Sequence, residues 1–171
     1  MDVQEAIRTV LSVRTYRDEP VPDDVIREVL EAGRLTGSAS NDQRWDFVVV
    51  QDRAKLEELA ANAPTGRFVG GAAFAVVVVT DETIFGTSDA SRAIQSMTLA
   101  GWSLGLGSVW VGFSGMLTQI NPLLGIPDDK VIAAIVPFGY PENEHLGKGI
   151  KKRRPFDEVV HWGTWDGTST S

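Results

Sequence analysis

Hydrophobic positions along this chain recur with two periods, and the switches between them mark out the elements. Val3, Ala6, Ile7, Val10 and Leu11 fall at helical spacing and predict a first helix over residues 2–11. Ser12 to Tyr16 breaks that spacing, and Glu19-Pro20-Val21-Pro22 reads as extended chain. Val25, Ile26, Val29, Leu30 and Ala32 make a second helical stripe, with Asp23 or Asp24 placed to cap it, ending near Gly33-Arg34-Leu35. Trp45–Gln51 then reads as a strand, and Asp52-Arg53-Ala54-Lys55 starts a short helix running to about Ala61. After a loop at Asn62–Gly66, the run AFAVVVVT over residues 73–80 is uncharged and β-branched, as a strand covered on both faces would be.

Thr83–Ser88 reads as a polar connection. A long helix is expected from Asp89 to about Leu104, carrying Ala93, Ile94, Met97, Leu99, Ala100 and Trp102. Its small residues and apolar breadth predict central burial, with a subunit interface as one setting. Gly105-Leu106-Gly107 ends that helix, Ser108–Val111 reads as a third strand, Leu117–Leu124 as a short helix and Lys130–Phe138 as a fourth strand. Phe156–Trp162 is expected to form a final strand or a docking arm. The order of elements predicts an α+β fold, a mixed or antiparallel sheet covered by helices. One domain over residues 1–165 and a flexible tail over 166–171 complete the reading.

Composition narrows the chemistry. At 171 residues with 43% hydrophobic and 23% charged residues, the chain can bury a substantial core. Its net charge of −7 argues against a broad nucleic-acid-binding surface. With no cysteine, disulfides, thiolate metal sites and Cys nucleophiles are excluded, and its two histidines, His145 and His161, lack metal-ligand spacing. No apolar run reaches membrane-spanning length and the first residues lack a signal-peptide core, so a cytoplasmic protein without membrane contact is expected.

Candidate chemistry concentrates in a few stretches. Gly105-x-Gly107 closes a helix and precedes a strand, the reverse of a dinucleotide-binding turn, so a helix stop is the better reading. Gly37-Ser38-Ala39-Ser40 lacks the spacing of a nucleophile elbow. The small and polar residues from Gly37 to Asp42 would let backbone amides approach a ligand, although a plain connecting loop would have the same composition. Lys148–Arg154, KGIKKRR, is either a solvated basic run or, lying just before Pro155-Phe156, a set of cations held against the body for an anion such as phosphate. Ser12 and Arg14 at a helix boundary suit a phosphate or a polar ring edge, and equally suit a cap and a surface residue.

Taken together, four stretches resemble the nitroreductase family of FMN-dependent oxidoreductases, in the family's order. Residues 12–21, SVRTYRDEPV, are similar to the family's opening Arg-Arg-Ser-x-Arg-x-Phe signature with its Pro-Val. Residues 38–47, SASNDQRWDF, resemble its Pro-Ser-x-x-Asn-x-Gln-Pro-Trp-x-Phe loop. Leu104–Gly112 resembles the segment closing its central helix, and Lys151–Val160 its C-terminal phosphate-binding run.

The resemblance implies an intertwined homodimer with FMN at the interface. It also implies ping-pong transfer from NADH or NADPH to a small acceptor such as a nitroaromatic or a quinone, with the redox chemistry carried by the flavin. By position, Ser12 would meet the phosphate or ribityl oxygens, and Arg14 the phosphate or the polar flavin edge. Ser38, Ala39, Asn41 and Gln43 would line the ring from the partner subunit. The Trp110, Val111 and Gly112 backbone would flank its other side, and Lys151 and Arg153 would pair with the phosphate. The chain departs from the pattern at Val10 and Leu11, where the family has arginines, and at Gly37 and Arg44, where it has prolines. Losing charge-assisted phosphate bonds costs on the order of 1.5–3 kcal/mol each. Looser flavin retention is therefore expected unless Arg8 or the Lys151–Arg154 run compensates, and Arg44 would place a cation near the pocket. The alternative is a flavin- or anion-binding member without redox turnover, serving as a sensor or store.

Overall fold

A computed structural model describes residues 1–113, 115–143, 151–165 and 167. In chain order these form α1 (Val3–Thr9), α2 (Asp23–Arg34), β1 (Trp45–Val50), α3 (Arg53–Asn62), β2 (Phe74–Asp81), α4 (Ile84–Ser103), β3 (Gly107–Ser108), α5 (Asn121–Leu124) and β4 (Lys130–Gly139). The strands lie in the order β1-β2-β4-β3, each pair antiparallel. The expected α+β class and helix-covered sheet are borne out, and an isolated parallel bridge from Ser12 to Ser108 adds one extended segment beyond β3.

Residue alternation explains why β2 sits at the centre. Ala75, Val77 and Val79 face a core shared with α3, Val109, Val111, Leu117 and Ile135. Phe74, Val76 and Val78 face a second core shared with α2 and α4. Both faces are therefore buried, and a charge on either would be stranded from water. Phe74 stacks on Phe138 at 5.0 Å between ring centroids and ties β2 to β4 where α4 crosses them.

Capping accounts for the helix starts. Asp2 accepts from the Glu5 amide, Asp52 from the Lys55 amide and Thr83 from the Gly86 amide. The α2 expectation needs one correction: Pro22 is the cap position without a side-chain bond, and Asp23 and Asp24 lie inside the first turn, favourable to the helix dipole. A larger correction concerns α4. It begins at Ile84 rather than Asp89, because Thr83 caps a stretch whose Thr, Ser and Gly content reads as a connection. Its end at Gly105, with φ of 86°, is the expected helix stop.

Two other expectations are revised. The third strand pairs only over Gly107–Ser108, after which Val111 makes a single bridge to Ile135. Of the two alternatives for Phe156–Trp162 the strand is not formed: Phe156–Glu158 is one 3-10 turn, and Phe156, Trp162 and Trp165 lie exposed on the single chain. The first helix also buries less than its pattern implies. Ala6 is covered, whereas Val3 is 70% exposed and Ile7 50%. Among the described residues no helix is long and apolar enough to cross a membrane. Most of the expected tail, Asp166 and residues 168–171, and residues 144–150 of the basic stretch lie outside the described residues.

Candidate functional site

Ser12 and Arg14 are set by the residue between them. Val13 is 2% exposed, and its amide donates to the Ser108 carbonyl at 2.9 Å, which turns Ser12 and Arg14 outward to solvent. The Arg14 guanidinium lies 5.8 Å from the centre of the Phe68 ring. Tyr16 locks this segment from behind, its hydroxyl donating to the Val13 carbonyl at 2.7 Å, and burial pushes its pKa up, so it stays protonated.

Lys151 reaches the same region from the other end of the chain. Its ammonium donates to the Ile7 carbonyl at the end of α1 at 2.7 Å. Partial burial, and then the nearby Arg153, hold its pKa below the ordinary lysine value. Arg153 itself is exposed and donates to the Lys152 carbonyl. Among the described residues no carboxylate pairs with Arg14, Lys151 or Arg153. In a chain of net charge −7 that exclusion is informative: Lys151 and Arg153 repel one another, and among the described residues no anion offsets them. This donor set fits the phosphate of FMN.

Beyond β3 the chain climbs along β4. Trp110 is half-buried and its indole N–H donates to the Gly112 carbonyl at 2.5 Å. Val111 has a buried side chain, and both its amide and its carbonyl are bonded to Ile135, so only the second lone pair of its carbonyl remains. Gly112 has φ of 79°, and a Cβ there would stand 2.5 Å from Leu117 Cδ1, so any other residue would strain the backbone and displace Leu117.

The Ser38–Gln43 loop is built differently. Ser40, Asn41 and Gln43 all have positive φ, at 53°, 59° and 50°. Ser38 Oγ accepts from the Gln43 amide at 2.9 Å and closes the loop on itself. Asn41 and Gln43 are exposed, and the Gln43 side chain donates to the Asn41 carbonyl. Gln43 also borders an open groove of about 540 Å³ between α2 and β1, with Arg27, Arg34, Trp45 and Phe47 on its walls. The Ala39 amide, by contrast, points inward to the carboxylate of Asp89 on α4.

These candidates form two groups. Ser12 and Lys151 belong with the far end of α4, where the Trp102 indole donates to Thr9 and Val13 meets β3. The Ser38–Gln43 loop belongs with its beginning, at Asp89. At about 1.5 Å per residue, Asp89 and Trp102 are separated by about 20 Å along the helix. The sheet gives the same ruler. Ser108 pairs with Phe138, while Trp45, which follows the loop, pairs with Thr80 opposite Val131. Those positions on β4 stand about 23 Å apart at roughly 3.3 Å per residue.

Sequence reading missed Asp89, Phe68 and the packing of Arg44. The one available signal for Asp89 was an acid followed by an otherwise apolar helical stretch, which is also how a helix start looks.

The family model for the Nitroreductase family matches residues 7–82 and 63–140. The chain is similar to a Methanothermobacter thermautotrophicus protein provisionally named an NADH dehydrogenase/NAD(P)H nitroreductase. The identity is 37% over 149 residues, covering 82% of this chain and 78% of the relative. A crystal structure of a provisionally named nitroreductase from Desulfovibrio desulfuricans in complex with FMN superposes with a TM-score of 0.81 at 32% identity, covering 94% of this chain and 95% of that one. The NADPH:FMN oxidoreductase from Vibrio harveyi complexed with NAD+ superposes with a TM-score of 0.83 at 27% identity, covering 97% of this chain and 79% of that one.

Proposed function

This chain belongs to the Nitroreductase family, and we propose that, as an FMN-dependent NAD(P)H oxidoreductase, it passes electrons to nitroaromatic, quinone or similar small acceptors by a ping-pong mechanism. The observation that carries this reading is that, among the described residues, Arg14, Lys151 and Arg153 have no carboxylate partner in an acidic chain, with Arg14 two positions from the outward Ser12 and Lys151 bonded to the α1 helix that precedes it.

Each side chain then has a physical task. Arg14 and Lys151 neutralise a phosphate dianion, and Arg153 adds long-range attraction. Ser12 offers a hydroxyl that both donates and accepts, suited to phosphate or ribityl oxygens. The Trp110 and Gly112 backbone forms a wall without a projecting Cβ at Gly112, which permits close approach of a flat ring. When bound, FMN supplies the redox chemistry, accepting reducing equivalents from NAD(P)H and yielding them to an acceptor that replaces the nicotinamide.

A homodimer completes the site. The Ser38–Gln43 loop lies too far along α4 to cover a ligand held by Ser12 and Lys151 of its own chain, so a second copy supplies it. The exposed apolar residues Val3, Ile7 and Leu11 of the first helical stripe, with Phe156, Trp162 and Trp165 of the C-terminal segment, are the surface such a partner would cover.

The test is an absorption spectrum of the purified protein with and without added FMN, followed by NADH or NADPH and then a quinone. Flavin absorption that bleaches with the reductant and returns with the quinone is the expected outcome. Bound flavin that never bleaches would favour the sensor or storage reading. Failure to retain FMN at saturation would mean that Val10 and Leu11 mark a lost phosphate site.

A further inference from the structure

Half of the six residues of the Ser38–Gln43 loop hold left-handed backbone. Ser40, Asn41 and Gln43 are non-glycine residues in the left-handed region, and such conformations persist only where the surroundings impose them. Most of the loop's hydrogen bonds are local. The Asn41 amide donates to the Ser38 carbonyl, the Asp42 amide to the Ala39 carbonyl, and the Gln43 amide to Ser38 Oγ. Bonds of this kind shape a turn without fixing where it sits.

The tie to the protein body is a buried carboxylate. Asp89 is 1% exposed, and its two oxygens accept the Ala39 amide at 3.1 and 3.3 Å. A buried charge needs compensation, and Arg44 provides it, with Nη1 3.5 Å from Asp89 Oδ2. The Arg92 guanidinium approaches the other oxygen at 3.9 Å from the solvent side. Arg44 is itself held from three directions: Nη2 bonds Asp42, the guanidinium lies 5.5 Å from the Phe85 ring centre, and its carbonyl accepts from Thr80 Oγ1. Its Nη1 is buried with no hydrogen bond in line, and the Asp89 carboxylate is the charge that faces it, while Asp42 holds Nη2.

We propose that Asp89, charge-balanced by Arg44, is the positioning residue of this loop: it clamps the Ala39 amide at the base of the left-handed run and so aims Asn41 and Gln43 outward at the ligand. The clamp is a property of the single chain. Its consequence for flavin binding rests on the function proposed above.

Hydrogen exchange of the peptide spanning residues 37–45 in the full chain without FMN tests the clamp, and flavin fluorescence titration tests its consequence. Asp89→Ala is expected to speed exchange of this peptide at least tenfold, with the rest of the protein unchanged, and to raise the FMN dissociation constant at least tenfold. Arg44→Gln should loosen the loop by leaving the carboxylate unbalanced. The double variant Arg44→Gln/Asp89→Asn keeps an oxygen for the Ala39 amide without either charge, and should recover most of the protection. It also serves if Asp89→Ala does not fold. Exchange within twofold of wild type in the folded Asp89→Ala protein would overturn the proposal. So would a double variant as loose as Arg44→Gln alone, or loosening spread evenly over the whole chain. A wild-type protein that binds no FMN would refute the proposed function while leaving the exchange result to decide on the clamp. Normal FMN binding by a protein with a loosened loop would refute only the link between them.

Discussion

Replacing Lys151 with methionine separates phosphate recognition from ring recognition. The methionine keeps an unbranched apolar stem and removes the charge. In the chain as it stands, the ammonium uses one of its three donors on the Ile7 carbonyl, which leaves two for an incoming anion. A hydrogen bond to a charged group is worth about 1.5–3 kcal/mol, so Lys151→Met should raise the FMN dissociation constant by roughly 10- to 150-fold. Riboflavin has the same ring and no phosphate, and its affinity should stay within about twofold on the same argument. The pH dependence carries a sign that follows from the lowered pKa. The folded protein without ligand holds this proton less tightly than the unfolded chain does. Lys151 therefore makes the free protein more stable as pH climbs through the folded pKa towards the ordinary lysine value. Phosphate reverses the preference by stabilising the ammonium. FMN affinity should therefore fall as pH rises into that window, and the fall should be smaller in Lys151→Met. Fluorescence titrations with both flavins at neutral and alkaline pH make the comparison. Equal losses for FMN and riboflavin, or none for either, would refute the assignment of Lys151 to phosphate.

Gly112→Ala should destabilise the fold by about 2–5 kcal/mol in urea denaturation, combining a left-handed backbone penalty with displacement of Leu117. A loss under about 1 kcal/mol would show that the segment shifts freely, contrary to the fixed wall inferred for it. Ile7→Glu alters a side chain that the single chain leaves 50% exposed, so its cost should appear in association rather than in the fold of one chain. Sedimentation should show a shift from dimer to monomer with loss of flavin, and an unchanged dimer would remove α1 from the interface.

Some elements were plain in the sequence because one force dominated them. From Phe74 to Thr80 every residue is uncharged and most are β-branched, so burial on both faces and strand geometry demand the same residues. On α2, Ile26 and Val29 recur at helical spacing and are buried as that spacing implies. The start of α4 was hidden because tertiary packing overrides local preference there. Gly86 weakens a helix in isolation, yet a Cβ at that position would stand 2.4 Å from the Asp81 carbonyl, so the first turn can approach the end of β2 only with glycine. Val3 and Ile7 mislead in a different way. Periodicity reports that a face is to be covered and is silent about which chain covers it. The same holds for Phe156 and Trp162, whose apolar character suggested a strand or a docking arm, although no neighbour among the described residues offers them an edge. Asp89 was illegible for a related reason: nothing in a sequence distinguishes an acid at a helix start from one facing a loop that precedes it by fifty positions.

The division of the candidate site between the two ends of α4 makes a claim that mixing experiments can decide. If each flavin is held by Ser12, Arg14 and Lys151 of one chain and covered by Asn41 and Gln43 of the other, a chain damaged in one half complements a chain damaged in the other. Co-refolding equal amounts of Arg14→Ala/Lys151→Met and Asn41→Ala/Gln43→Ala chains gives random pairs, about half of them mixed. In a mixed pair one site collects all four defects and the other collects none. About a quarter of the wild-type flavin sites should therefore return from two inactive parents. Were each site built within one chain, every site in the mixture would keep the defects of its own chain, and nothing would be regained. Recovery near zero, with mixed pairs verified by differently tagged chains, would place both halves in one protomer. It would also require the Ser38–Gln43 loop to travel the length of α4, which the Asp89 clamp on Ala39 opposes.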